Sequence, residues 1–219
     1  MLTIAKLYDL EHTLAQEYLA NFNYPWEALA GISDLIISLG ASLAEDYAKV
    51  SHNVWVHKTA TVAPTAYVAG PCIIGANTEV RHCAYIRGSA LIGENCVVGN
   101  STELKNVILF DGVQVPHYNY VGDSILGYKA HMGAGSVTSN VRGDKRLVVI
   151  HGKENIPTNR KKVGAMIGDF GEIGCNSVLN PGVIIGRNAQ VYPTSCVRGV
   201  VPENGIYKSN GVIAMKQEG

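Results

Sequence analysis

The densest group of side chains able to do acid–base or binding chemistry lies in residues 115–140, VPHYNYVGDSILGYKAHMGAGSVTSN. It holds His117, Tyr118, Asn119, Tyr120, Asp123, Lys129, His131 and Asn140. A histidine titrates near neutrality, so one placed here could act as a general base on an attacking nucleophile. The same residues admit a bland reading. A lone histidine is commonly a surface or packed side chain, and Tyr118 and Tyr120 could pack at a subunit contact. A second group is cationic. Residues 139–166 carry Arg142, Lys145, Arg146, Lys153, Arg160, Lys161 and Lys162 against Asp144 and Glu154. That excess suits phosphate groups, although a charge run is also the usual make-up of a solvated loop.

The scaffold that must position these groups is written in a period of six. From Val56, steps of six land on Val62, Val68, Ile74, Val80, Ile86, Ile92, Val98, Leu104 and Phe110. The register slips around Pro116 and resumes at Leu126, Met132 and Thr138. After a second break it runs through Ile167, Ile173, Leu179, Ile185, Val191 and Val197. Four residues after most of these large apolar positions stands a small one, among them Ala60, Ala66, Cys72, Ala84, Ala90, Cys96, Ala130, Ser136 and Ala189. A period of six fits no α-helix. It fits short strands joined by tight turns, with large and small side chains alternating inward and each strand pairing one coil away. The expected fold is therefore mainly β, a left-handed parallel β-helix of hexapeptide repeats over residues 54–200. Cys72 and Cys96 fall on the small inward position and read as packing residues.

Three segments lie outside the repeat. Residues 1–53 read as helical, with Leu7, Leu10, Leu14, Tyr18 and Phe22 on one stripe. Leu29, Ile32, Ile36, Leu39 and Leu43 form another after Pro25. Residues 139–166 are a long excursion loop, and residues 201–219 are a tail that could cover the open end. The 219 residues carry 18 basic and 18 acidic side chains, so the balance calls for neither nucleic acid nor an anionic membrane. No apolar stretch approaches a membrane span and the N-terminus lacks a signal-peptide pattern. Five cysteines without a spaced framework read as reduced thiols in a cytoplasmic protein.

The segments NSTELKN (100–106), HYNYVGD (117–123), MGAGSVTSN (132–140) and GAMIGDFGEIGCNSVLNPGVIIG (164–186) carry a specific likeness. They resemble the acetyltransferase half of the bifunctional glucosamine-1-phosphate acetyltransferase/N-acetylglucosamine-1-phosphate uridyltransferase family. With the preceding NRKK (159–162), the last block is closest to the archaeal sugar-phosphate nucleotidyltransferase/acetyltransferases. The resemblance implies acetyl transfer from acetyl-CoA to the amine of an amino-sugar phosphate, with glucosamine-1-phosphate as the first expectation, in a homotrimer and without a metal. It implies His117 as general base. Arg87 and Lys105 become phosphate ligands, and Tyr120, His131, Asn140 and Lys145 further acceptor contacts. Ala134, Cys175, Pro193, Arg160, Lys161 and Lys162 become contacts to the acyl donor. Without the family match, Arg87 and Lys105 could equally be ordinary solvated positions.

The chain also departs from the family. No Gly-rich nucleotide loop precedes residue 54, so uridyl transfer is not expected. His131 stands where the family has Asn, Cys175 stands where bacterial members have Ser, and the loop before Lys145 differs in length. Two rivals share the scaffold. A γ-type carbonic anhydrase would use three histidines on a metal, and His82, His117 and His131 invite the comparison; the family's His spacing is not met, because Gly122 stands five after His117. A non-catalytic sugar-nucleotide or assembly module is the other.

Overall fold

Each hexad makes one short strand and one tight turn, and three hexads return the chain to its starting side one layer up. In the computed structural model, which describes residues 2–217, this produces a left-handed parallel β-helix of triangular section. Val54, Trp55 and Val56 pair in parallel with Cys72, Ile73 and Ile74. These pair in turn with Ala90, Leu91 and Ile92, and then with Val107, Ile108 and Leu109. The prism has three faces. The first stacks 61–62, 79–80, 97–100, 114–117, 131–132, 172–173 and 190–191. The second stacks 67–68, 85–86, 103–105, 120–122, 137–138, 178–179 and 196–197. The third stacks 54–57, 72–74, 90–92, 107–109, 124–126, 165–167, 183–185 and 200–201.

The inward residues form the core. Ile74, Ile86, Ile92, Val98, Leu104, Leu126, Met132, Ile167, Leu179, Ile185 and Val197 are fully buried. Each such side chain contributes about 1.5–3 kcal/mol by leaving water. Val56, Val62 and Val68, on the first coil, are only partly covered. Cys72 and Cys96 pack inward, and burial pushes both thiols up to about 12.

The register slip lies earlier than the sequence pattern puts it. Ile92 and Leu126 both stack on Leu109, so Leu109 and not Phe110 takes the inward place on the third face. The cause is a tighter turn. Arg87, Gly88 and Ser89 link two strands on one coil, and Lys105 and Asn106 alone do so on the next. Gly122 and Asp123 repeat the short turn above them. Asn106 and Asp123 sit at φ 55° and 48°, the left-handed region that Asn and Asp tolerate best among non-glycine residues.

The N-terminal segment is less helical than its stripes suggest. Residues 4–7, 10–12 and 16–19 are separate single turns rather than one helix, and Leu14 stays exposed. Their backbone is spent on the solenoid. Asp9 N–H donates to Asp169 at 2.7 Å, Asp169 N–H to Leu7 at 3.0 Å, and Asp111 N–H to His12 at 3.0 Å. Tertiary bonding here overrides propensity. The helix Ile32–Ser42 does form, and its buried Ile32 and Ile36 lie on the third face. Gly40 lets that helix descend onto the ring of Trp55, which a Cβ would strike at 2.5 Å. Tyr47–Ser51 is a strand, not helix; it pairs antiparallel with Val54–His57 and covers that sheet edge.

The excursion closes on itself. Val141 and Lys162 bridge at its base, and Val149–His151 pairs with Asn155–Pro157 in a hairpin. Ala165–Ile167 is already solenoid strand. At the far end Gly205–Tyr207 extends the first face, and Ile213–Met215 pairs antiparallel to it, so the tail belongs to the sheet and ends it.

Candidate active site

Stacked turns align the candidate residues in two columns, one on each edge of the second face. At the edge shared with the first face, Gly135 N–H donates to His117 O at 3.0 Å. Asn176 N–H donates to Ala134 O at 2.8 Å, and Thr194 N–H to Cys175 O at 2.8 Å. His117, Ala134, Cys175 and Pro193 thus follow one another up a single corner, one coil apart. Tyr118, Gly135, Asn176 and Thr194 make the turns with positive φ. His117, Cys175 and Pro193 are exposed and Ala134 is half-buried.

The His117 turn is held from below the surface by Asn119. Its Oδ1 accepts the His117 N–H at 3.1 Å, while its Nδ2 donates to Gly133 O at 2.9 Å and Ser136 O at 3.1 Å. Asn119 is 2% exposed, so the coil carrying His117 is locked to the Gly-rich turn of the coil above it.

The opposite edge, shared with the third face, carries a polar hub. Asp123 is 3% exposed and accepts Lys105 Nζ at 3.2 Å, Asn106 Nδ2 at 2.9 Å and Asn140 Nδ2 at 2.6 Å. Asn140 Nδ2 also approaches the Tyr120 hydroxyl at 3.2 Å. Burial, and then the Asp123 carboxylate, push the Tyr120 phenol above its ordinary value, so it remains a neutral O–H. Arg87, one coil below Lys105, pairs with Glu103 at 2.8 Å. Arg87, Lys105 and Asp123 open into a cleft of about 560 Å³, together with Asn159, Arg160, Lys161 and Lys162 from the excursion and Leu29, Ala30 and Ser33 from the N-terminal segment.

The structure therefore brings together Arg87, Lys105, Tyr120, Asn140, Arg160, Lys161 and Lys162 at one edge, and His117, Ala134, Cys175 and Pro193 at the other. The three excursion cations, expected on the acyl-donor side, stand with the phosphate pair instead. Two expected residues lie elsewhere in the protomer. His131 is on the first face, where its Nδ1 meets Glu172 at 2.8 Å. Lys145 is exposed on the turn 142–146, outside the cleft lining. Asp123 follows His117 closely in sequence but serves Lys105 and Asn140 rather than orienting the imidazole.

Asp123, Asn106 and Asn119 went unassigned from sequence, although the shortened turns at Asn106 and Asp123 were a signal of something unusual there. The contribution of Leu29, Ala30 and Ser33 had no sequence signal. His82, His117 and His131 do not form one ligand set: His82 pairs with Thr65 at 2.6 Å and Cys83 at 3.2 Å, and His131 pairs with Glu172. Among the described residues no group of three or more His, Cys, Asp or Glu is arranged to hold a metal, and no helix is long and apolar enough to cross a membrane.

Comparison with known proteins follows the same lines. The family model for the GMPPB C-terminal domain matches residues 68–159. A bifunctional protein GlmU of Methanococcus maripaludis is 31% identical over 221 residues, which is 99% of this chain and 53% of that protein. The bifunctional sugar-1-phosphate nucleotidylyltransferase/acetyltransferase of Sulfurisphaera tokodaii is 30% identical over 196 residues, 87% of this chain and 49% of that protein. The chain is thus similar, over most of its own length, to part of each of these two bifunctional proteins. It spans about half the length of the curated relatives it matches. Among solved structures, a hexapeptide transferase family protein from Anaplasma phagocytophilum aligns with a TM-score of 0.43 at 16% identity, covering 75% of this chain and 80% of that one.

Proposed function

We propose that the chain is an acyltransferase that moves an acetyl group from acetyl-CoA to the amine of an amino-sugar phosphate, with glucosamine-1-phosphate the first acceptor to test. One observation carries this reading. A single open face has a histidine and a stacked column of turns along one edge, and a cation-rich cleft along the other. A sugar phosphate lying across that face would put its phosphate in the cleft and its amine toward His117. The name of the Sulfurisphaera tokodaii relative, which joins sugar-1-phosphate nucleotidylyl transfer and acetyl transfer in one protein, supports the same chemistry.

In this mechanism His117 takes a proton from the amine as the nitrogen attacks the thioester carbon. The carbon–nitrogen bond forms, the carbonyl oxygen becomes an oxyanion, and a backbone N–H of the turn at Ala134 stabilises it. Collapse breaks the carbon–sulfur bond and releases CoA, which takes up the proton. Arg87 and Lys105 hold the phosphate, and Tyr120 and Asn140 contact the sugar. Ala134, Cys175 and Pro193 line the path of the pantetheine arm. The second face is open in one protomer, and we place a second copy against it in a homotrimer, with sites between subunits. Light scattering should give three times the chain mass; a monomer mass across ordinary concentrations overturns that assembly.

The deciding experiment is thiol release from acetyl-CoA against a panel of amino-sugar phosphates. Amine-dependent release with at least one of them is expected. No release above hydrolysis with any of them overturns the reading and leaves a binding module.

A further inference from the structure

The cleft between the second and third faces is electrostatically uneven. On its solenoid wall the charges cancel, because Arg87 is paired with Glu103 at 2.8 Å and Lys105 with Asp123 at 3.2 Å. Asp123 is already engaged by three donors. On the facing wall, Arg160, Lys161 and Lys162 form a strap that makes no ion pair among the described residues. The Nε of Arg160 is buried without a hydrogen-bond partner, a costly state for a protein group unless something else answers it. The N-terminal wall of Leu29, Ala30 and Ser33 adds no charge.

The strap is also held in place. Val148 N–H donates to Arg160 O at 2.8 Å, Arg160 N–H donates to Thr158 Oγ1 at 3.2 Å, and Lys162 bridges Val141. Its cations are thus presented from a fixed backbone, which lowers the entropy lost on binding. The volume of about 560 Å³ is that of a small-molecule site rather than of a single ion.

We propose that this cleft binds two linked phosphate groups, one on Arg87 and Lys105 and the other on Arg160, Lys161 and Lys162. The acceptor is then an amino sugar carried on a diphosphate, a clause that rests on the acyl-transfer reading above. A monophosphate on the solenoid pair leaves three cations unanswered, and one on the strap leaves the pair closed on its own carboxylates. A diphosphate spans both walls. Coenzyme A carries a diphosphate too, but the column assigned to it, Ala134, Cys175 and Pro193, runs along the far edge of the second face.

Calorimetric titration of the full chain at fixed ionic strength tests this, with orthophosphate, pyrophosphate, UDP-N-acetylglucosamine and CoA as probes. Pyrophosphate and the nucleotide sugar should each bind at least about tenfold more tightly than orthophosphate, and compete with each other. Lys161→Ala with Lys162→Ala should weaken pyrophosphate more than orthophosphate and abolish that preference, since the second phosphate loses its partners. Arg87→Ala should weaken both. Equal affinity for the two inorganic anions, or a preference that survives in the double variant, overturns the proposal. Displacement of pyrophosphate by CoA but not by the nucleotide sugar overturns the acceptor assignment. Acetyl transfer is scored separately. If no amino sugar is acetylated but the diphosphate preference holds, the catalytic reading fails and the site stands; monophosphate acetylation without the preference gives the reverse.

Discussion

The second and third faces of the prism share one inward code and differ in what they turn outward. On the second face the outward row reads Tyr67, Tyr85, Glu103, Tyr120, Val137 and Val178, and Tyr67, Tyr85 and Val178 are exposed. On the third it reads Trp55, Ile73, Leu91, Ile108, Ile125, Met166 and Ile184, all buried. The N-terminal helix covers the lower coils of the third face, and Val148 and Ile150 of the excursion cover the upper ones around Gly182. A sheet apolar on both sides must be packed on both sides. One face is therefore covered and the other left open, with the cleft at the seam between them.

The largest expected effect is on the covered face. Ile108 is fully buried under the N-terminal segment, and Ile108→Ala should cost about 2–5 kcal/mol, read as a lower denaturant midpoint at unchanged slope. Tyr85→Ala on the open face should cost clearly less within the protomer. Equal losses for the two would erase the distinction between the faces.

On the open face the effect should fall on rate. His117 is exposed, so His117→Ala should leave the melting temperature alone and lower kcat by roughly a hundredfold or more, the usual scale for losing a general base. An active wild type alongside a mutant of unchanged kcat removes His117 as the base and turns attention to His131 and its partner Glu172.

At the seam the two kinds of effect should mix. Asp123→Asn keeps the shape but removes the charge that holds Lys105 and Asn140, so stability should fall by about 1–3 kcal/mol as a buried network loses an acceptor. Acceptor KM should rise more than kcat falls. A variant altered in stability with an unchanged KM would make Asp123 purely structural.

The smallest effect is a sorting of thiols. Burial pushes Cys72 and Cys96 up to about 12, so at pH 8 they hold almost no thiolate. Native protein should give three fast thiols, Cys83, Cys175 and Cys196, and two more only on unfolding. Protection of Cys175 by CoA would sharpen the assignment of its edge to the acyl donor; five fast thiols would contradict the packed core.

The solenoid is legible in the sequence because its code is local: an inward apolar side chain every six residues, with a small one between, suits strand, turn, strand and little else. The same periodicity carried the inward thiols, and the motifs around His117, Arg87 and Lys105 marked the two edges. The outward apolar row of Ile73, Leu91, Ile108 and Ile125 is also present in the sequence, and it says that the third face needs a cover. What covers it is not a local matter. The stripes of residues 7–22 predict a helix, but their backbone groups find partners at Asp111 and Asp169, far along the chain. The place of the Arg160–Lys162 strap likewise depends on a hairpin folding back over the top coils. Period and side-chain size along the chain determined the prism and its core. Only tertiary packing decided which face stays open, which cations meet across the cleft, and that His131 and Lys145 stand away from it, because those contacts join segments with no shared periodicity to announce them.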